Sequence, residues 1–127
     1  MEEEQGLMTM KVLVVDDDEA IGEFVDWVLT DEGHEVTKAG NGAEALQLLE
    51  ELRPDVILLD MRMPVMDGWQ FADAYRKGNY PRAPIVVVTA ARDATERAEE
   101  IGADGYLGKP FDIDDLLATV TRFRSDD

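Results

Sequence analysis

The chain is expected to fold as a doubly wound α/β domain, (βα)5, built on a five-stranded parallel sheet. Three observations lead there. Short apolar, largely β-branched runs at 12–15, 56–59 and 85–88 are bounded by turn residues, as strands buried on both faces are. Two weaker strand-like runs lie at 35–39 and 105–108, and helix-like segments alternate with all five. Four of the runs end on reactive side chains: Asp16-Asp17-Asp18, Asp60, Thr89 and Lys109. Ligands of open parallel sheets bind outside the carboxyl ends of the strands. Neighbouring strands would therefore bring carboxylates, a hydroxyl and an amine to one edge.

Residues 1–9 are acidic and lack periodicity, so a flexible tail is expected. The first helix covers 19–32, with Ile21, Phe24, Val25, Val28 and Leu29 on one face and Gly33 as its stop. The second strand is 35–39. Asn41-Gly42 has the look of a hairpin turn. The helical pattern that follows, with Ala45, Leu48, Leu49 and Leu52 inward, favours a helix over 43–52 ended by Pro54. Asp67-Gly68 opens a third helix to Lys77, with Phe71, Ala72 and Tyr75 inward, and Pro81 and Pro84 bracket the next loop. The fourth helix, 93–101, has only Ala94, Ala98 and Ile101 as an apolar stripe, which makes it the natural mobile element. The last, 112–124, carries Ile113, Leu116, Leu117, Val120 and Phe123. Trp27 and Trp69 are expected to be partly buried, and Met61, Met63 and Met66 to pack a loop. His34, the only histidine, sits at a helix–strand corner and is given no chemical role.

A length of 127 residues suits one domain. No cysteine is present, which excludes a disulfide framework and thiol chemistry. No apolar run approaches the ~20 residues of a membrane span, and the acidic start has no signal-peptide pattern. A soluble cytoplasmic protein is expected. The net charge is -17, with 29 acidic against 12 basic residues. Such a surface repels phosphate backbones, so neither direct nucleic-acid binding nor membrane binding is expected. The charge fits either a strongly solvated surface or one adapted to a saline cytoplasm. Melting that barely rises between low and molar salt would sink the second reading.

Asp16, Asp17 and Asp60, brought within about 4–5 Å, would repel by roughly 3–4 kcal/mol per pair at an effective dielectric of 20. Either one stays protonated or a cation sits among them. An all-oxygen, carboxylate-rich donor set favours Mg²⁺. A phosphoryl group on Asp60 would add three oxygens, for which the metal, the Thr89 hydroxyl and the Lys109 ammonium provide partners.

These strings resemble the receiver domain of two-component response regulators, similar to the single-domain chemotaxis type. The likeness rests on Val14-Val15-Asp16-Asp17-Asp18, on Leu59-Asp60-Met61-Arg62-Met63-Pro64 with Met66-Asp67-Gly68, on Val88-Thr89-Ala90, and on Gly102-Ala103-Asp104-Gly105-Tyr106 with Lys109-Pro110-Phe111. It covers about 10–124, leaving 125–127 as a C-terminal tail. The resemblance implies the flavodoxin-like strand order 2-1-3-4-5. It implies Asp60 as phosphoacceptor, with Mg²⁺ held by Asp16, Asp17, Asp60 and the Arg62 backbone carbonyl. Thr89 and Lys109 would bind the phosphoryl oxygens. Thr89 and Tyr106 would form the switch, and the fourth helix, fifth strand and fifth helix the readout face. A cis Lys109–Pro110 bond is frequent in the family. The implied partners are a sensor histidine kinase or phosphotransfer protein and an unspecified downstream protein, with the domain a monomer or a phosphorylation-driven dimer. It would be a signalling module that assists its own phosphorylation and dephosphorylation, either complete in itself or cut from a longer chain. The Arg62 side chain would either cover the phosphoryl group or point into solvent. Asp18 would have no fixed role beyond capping the first helix.

Two other readings stand beside this one. A haloacid-dehalogenase-type Mg²⁺ phosphohydrolase would use Asp16 and Asp18 two positions apart, but Ala20 stands where a Thr or Val is expected and the late acidic pair is missing. A receiver-like scaffold that is never phosphorylated would not need the full set of Asp16, Asp17, Asp60, Thr89 and Lys109.

Overall fold

The computed structural model describes residues 9–124; of the expected tails at 1–9 and 125–127, all but Thr9 lie outside the described residues, and the Thr9 hydroxyl donates to the Gly33 carbonyl at 3.1 Å. Five strands alternate with five helices: β1 Lys11–Val15, α1 Glu19–Asp31, β2 Glu35–Ala39, α2 Gly42–Leu48, β3 Val56–Leu59, α3 Gly68–Lys77, β4 Ile85–Ala90, α4 Ala91–Ile101, β5 Gly105–Lys109 and α5 Ile113–Thr121. The strands form one sheet in the order β2-β1-β3-β4-β5, and every pairing is parallel. This is the doubly wound arrangement expected above.

The apolar runs are continuous because the sheet is covered on both faces. Leu13, Val15, Ile57, Leu59 and Val87 pack under Ala45 and Leu49 of the second helical segment, Phe71 and Tyr75 of α3, and Ala98 and Ile101 of α4. Val12, Val14, Leu58, Val86 and Val88 point the other way, onto Val25, Val28 and Leu29 of α1 and Leu116 and Val120 of α5. Each such side chain, fully buried, stabilises the fold by roughly 1.5–3 kcal/mol.

Four helices begin on side-chain caps. Asp18 accepts the Ala20 N–H at 3.0 Å and Asn41 that of Glu44 at 2.9 Å. Asp67 with Gln70, and Asp112 with Asp115, form capping boxes. α4 alone has no side-chain cap.

Several boundaries and faces differ from expectation. β4 continues through Thr89 and Ala90 because both pair with β5, and the chain turns directly into α4 at Ala91 rather than near 93. α2 ends at Leu48, leaving Leu48 and Leu52 only partly buried. α5 stops at Thr121, whose hydroxyl bonds back to the Leu117 carbonyl at 2.8 Å. Trp27 is 64% exposed because it lies off the Val25–Val28–Leu29 stripe, and Ile113, at the first position of α5, is 40% exposed.

The loop from β3 to α3 is tightly held. A Cβ on Gly68 would lie 2.7 Å from Met61 Cα and 2.8 Å from the Asp60 carbonyl oxygen, so only glycine allows this approach. The Gly68 N–H donates to the Met61 carbonyl at 2.9 Å, which fastens the start of α3 to the backbone beside Asp60. Val65 sits at φ 70°, in the left-handed region, and its side chain is 81% exposed. A non-glycine residue there carries on the order of 1–3 kcal/mol of strain. Hydrogen bonds from Met66 N–H to the Pro64 carbonyl and from Gly42 N–H to the Met66 carbonyl hold the turn.

Candidate functional site

The sheet register assembles the site. Val15 pairs with Leu59, so Asp16 and Asp60 leave adjacent strands side by side. The Asp60 N–H donates to the Val15 carbonyl at 2.9 Å, and that of Asp16 to the Ala39 carbonyl at 3.0 Å. One carboxylate oxygen from each of Asp16, Asp17 and Asp60 lies within 4.8 Å of the others. The Asp16 side chain is 3% exposed and that of Asp60 10%, while Asp17 is open to solvent. Three hard oxygen donors converging at a partly open edge fit a divalent cation.

β5 supplies the counter-charge. Ala90 pairs with Lys109 and Thr89 with Gly108, which sets the ammonium and the hydroxyl at the same end of the sheet. Lys109 Nζ donates to Asp16 Oδ2 at 3.0 Å and lies 3.8 Å from Asp60 Oδ1. The amine is thus shared by two of the three carboxylates and sits closer to Asp16. The Lys109–Pro110 peptide bond is cis. Thr89 is half-buried, two residues beyond Val87, the partner of Leu59. Tyr106 pairs with Val87, and the residue is 51% exposed.

Asp60 Oδ1 accepts the Met61 N–H at 2.9 Å. Burial, and next the neighbouring Asp16 charge, push the Asp60 carboxyl up to about 6, against the pull of Lys109 and of the Met61 and Arg62 backbone N–H groups. Asp18 has a local role: its Oδ1 caps α1 through Ala20 and Ile21, and its own N–H donates to Asp16 Oδ1 at 2.9 Å.

Arg62 neither covers Asp60 nor points freely outward. Its guanidinium lies over the Trp69 ring, 5.7 Å from the centroid. Arg97 of α4 approaches the same ring at 5.4 Å. The Trp69 indole N–H donates to Glu100 Oε1 at 2.8 Å, and Arg97 binds both oxygens of Glu100. Nothing in the sequence beyond the Arg97–Glu100 spacing signals this cluster, because Trp69 and Glu100 lie 31 residues apart and Arg62 meets the ring across the loop that leads into α3. His34 is buried, its Nδ1 accepts the Met10 N–H at 3.0 Å, and burial lowers its pKa. That is a structural role.

A family model described as the response regulator receiver domain matches residues 12–121. Response regulator MprA of Mycobacterium tuberculosis is 41% identical over 115 residues, covering 89% of this chain and 50% of MprA. DNA-binding response regulator MtrA of Mycobacterium leprae is 39% identical over 123 residues, covering 94% and 54% of the two chains. The chain thus spans about half the length of these curated relatives. The solved structure of chemotaxis response regulator CheY4 of Vibrio cholerae superposes with a TM-score of 0.81 at 39% identity, covering 91% of this chain and 98% of that one. The receiver domain of Francisella response regulator 1452 gives 0.80 at 38% identity, with 91% and 96% covered.

Proposed function

The chain belongs to the response regulator receiver domain family of two-component signalling, and from that premise we propose that Asp60 is its phosphoacceptor. The donor would be a phosphohistidine on a sensor histidine kinase or phosphotransfer protein, or a small acyl phosphate. The observation that carries this reading is the convergence of three carboxylates within 4.8 Å with Lys109 Nζ 3.0 and 3.8 Å from two of them.

In the proposed transfer an Asp60 carboxylate oxygen attacks phosphorus in line, the P–N bond of phosphohistidine breaks, and the imidazole leaves and is protonated. The phosphoryl group carries its charge on three oxygens. Lys109 takes one and the Thr89 hydroxyl another. Asp16, Asp17, Asp60 and the Arg62 backbone carbonyl would hold Mg²⁺. Bound there, Mg²⁺ neutralises charge on the transferring group. Asp60 goes from one negative charge to about two. Thr89 and Tyr106 are the proposed switch: Thr89 closes on the phosphate and the exposed Tyr106 ring turns inward, altering the face of α4, β5 and α5 for a downstream protein. Small Ala90 leaves the approach to the site open. Hydrolysis of the acyl phosphate by water resets the domain, which acts as a signalling module in the cytoplasm, alone or as a phosphorylation-driven dimer. With a net charge of -17 the domain itself is not a nucleic-acid binder in this reading.

The phosphohydrolase reading loses its second aspartate, since Asp18 Oδ1 is committed to the N-cap of α1. The assembled site speaks against an inert scaffold. Incubation with Mg²⁺ and acetyl phosphate should give a hydroxylamine-labile phosphoryl adduct by intact mass, absent in Asp60→Asn. An adduct that survives this substitution would overturn the assignment, and turnover of a phosphate ester would point to the hydrolase.

A further inference from the structure

The Trp69 cluster lies outside the proposed transfer, yet it is the contact that joins the loop after Asp60 to α4. Three strands of geometry meet there. The Gly68 N–H bonds the Met61 carbonyl, so Trp69 is placed by the backbone next to the acceptor. Arg62, two residues beyond Asp60, rests its guanidinium on the Trp69 ring, and its backbone N–H is among the groups that favour the Asp60 carboxylate. The indole N–H and Arg97 both bind Glu100, so the far side of the cluster is α4 itself. Glu100 also feels the Arg62 charge, which makes the cluster one electrostatic unit.

This position matters because α4 is lightly held along its length: besides the Trp69 cluster, α3 reaches its end through Arg76, whose guanidinium donates to the Ile101 and Gly102 carbonyls. α4 lacks a side-chain cap and buries only Ala94, Ala98 and Ile101. Trp69 ties its last turn to the helix that starts beside Asp60.

We propose that Trp69 is a positioning residue that parks the Arg62 guanidinium away from Asp60, and that phosphorylation draws Arg62 off the ring and loosens the Trp69 tie to α4. The inference rests on Asp60 being the phosphoacceptor. Relative strengths set the direction. A solvent-exposed cation–π contact is weak. A charge-assisted hydrogen bond from arginine to a phosphoryl oxygen is markedly stronger, and the arginine fork matches phosphate geometry. Once the acceptor carries about two negative charges, Arg62 has a better partner close by. Its departure removes one of the two cations acting on Glu100 and leaves the indole on one partner fewer.

The test uses Trp27→Phe, which removes the other, exposed indole and leaves Trp69 as the only tryptophan. The protein is treated with Mg²⁺ and acetyl phosphate while intact mass and tryptophan emission are followed together. The expected result is an emission change that rises and decays with the adduct. In Arg62→Ala, read at matched adduct occupancy, that change is lost. In Trp69→Phe, hydrogen exchange over Ala91–Ile101 is faster before phosphorylation, and its further increase on phosphorylation is lost. An adduct with no emission change, an emission change that persists in Arg62→Ala, or α4 exchange unaffected by Trp69→Phe would each overturn the proposal while leaving Asp60 as acceptor. If no adduct forms at all, the acceptor reading falls and this inference with it.

Discussion

Asp60→Asn should make the protein more stable at neutral pH, by about 2 kcal/mol, while abolishing the phosphoryl adduct. The Asp60 carboxyl is pushed up to about 6 by burial and by Asp16. Keeping it ionised at pH 7 therefore opposes folding by roughly 3 kcal/mol, since each pKa unit corresponds to about 1.4 kcal/mol. Asparagine keeps the shape and removes the charge, but its amide meets the Met61 N–H and Lys109 less well, which reduces the net gain. The pH dependence identifies the cause. A raised carboxyl pKa means that the folded state binds the proton more tightly than the unfolded chain. The penalty is absent below about pH 4, grows as pH rises to about 6, and is then constant. Chemical denaturation of both proteins across this range should show curves that nearly coincide at the acid end and separate as pH rises. Equal stability at pH 7, or a gap that does not change with pH, would show that Asp60 is not charge-strained.

Lys109→Met should act in the opposite direction, and its effect should depend on divalent cation. The ammonium is the positive side chain bridging Asp16 and Asp60, at 3.0 and 3.8 Å. Breaking a fully buried ion pair costs about 3–5 kcal/mol. Lys109 is 24% exposed, so a loss of about 2 kcal/mol is expected, larger than for a surface pair. A cation bound by the folded state alone stabilises it by mass action. Saturating MgCl₂ should therefore stabilise Lys109→Met more than the parent and recover most of the deficit. An identical loss with and without MgCl₂ would show that Lys109 does not neutralise the acidic cluster.

Much of this site was legible in the sequence because it is built at strand ends. Runs such as Val56–Leu59 announce strands buried on both faces, and their last residues fall at one edge once the sheet is parallel. Asp16, Asp17, Asp60, Thr89 and Lys109 all stand at or just beyond such ends, and the structure brings them to that edge. What local pattern could not convey was partnership. Lys109 lies 93 residues from Asp16, and nothing near either one indicates that the amine sits closer to that carboxylate than to Asp60. Trp69 and Glu100 are 31 residues apart, so their hydrogen bond was invisible, and with it the resting place of Arg62. Trp27 departs from expectation because a large aromatic on an amphipathic helix suggests burial, although its helical phase sets it off the buried stripe. The start of α4 lies earlier than the local pattern indicates because the pairing that carries β4 through Thr89 and Ala90 comes from β5, far along the chain.

The register of the sheet has a consequence for how this molecule comes into being. Lys11 pairs with Glu35, Val12 with Val56, Ile57 with Ile85 and Val86 with Gly105. Every ladder closes a long loop, the kind of topology that folds slowly. No early hairpin or isolated βα unit contains more than a fragment of the acidic edge. A slip of one residue between β1 and β3 would shift Asp60 by about 3.3 Å along its strand and away from Asp16. The acidic edge is thus a property of the whole sheet in register, and a copy paired out of register loses the site along with the fold.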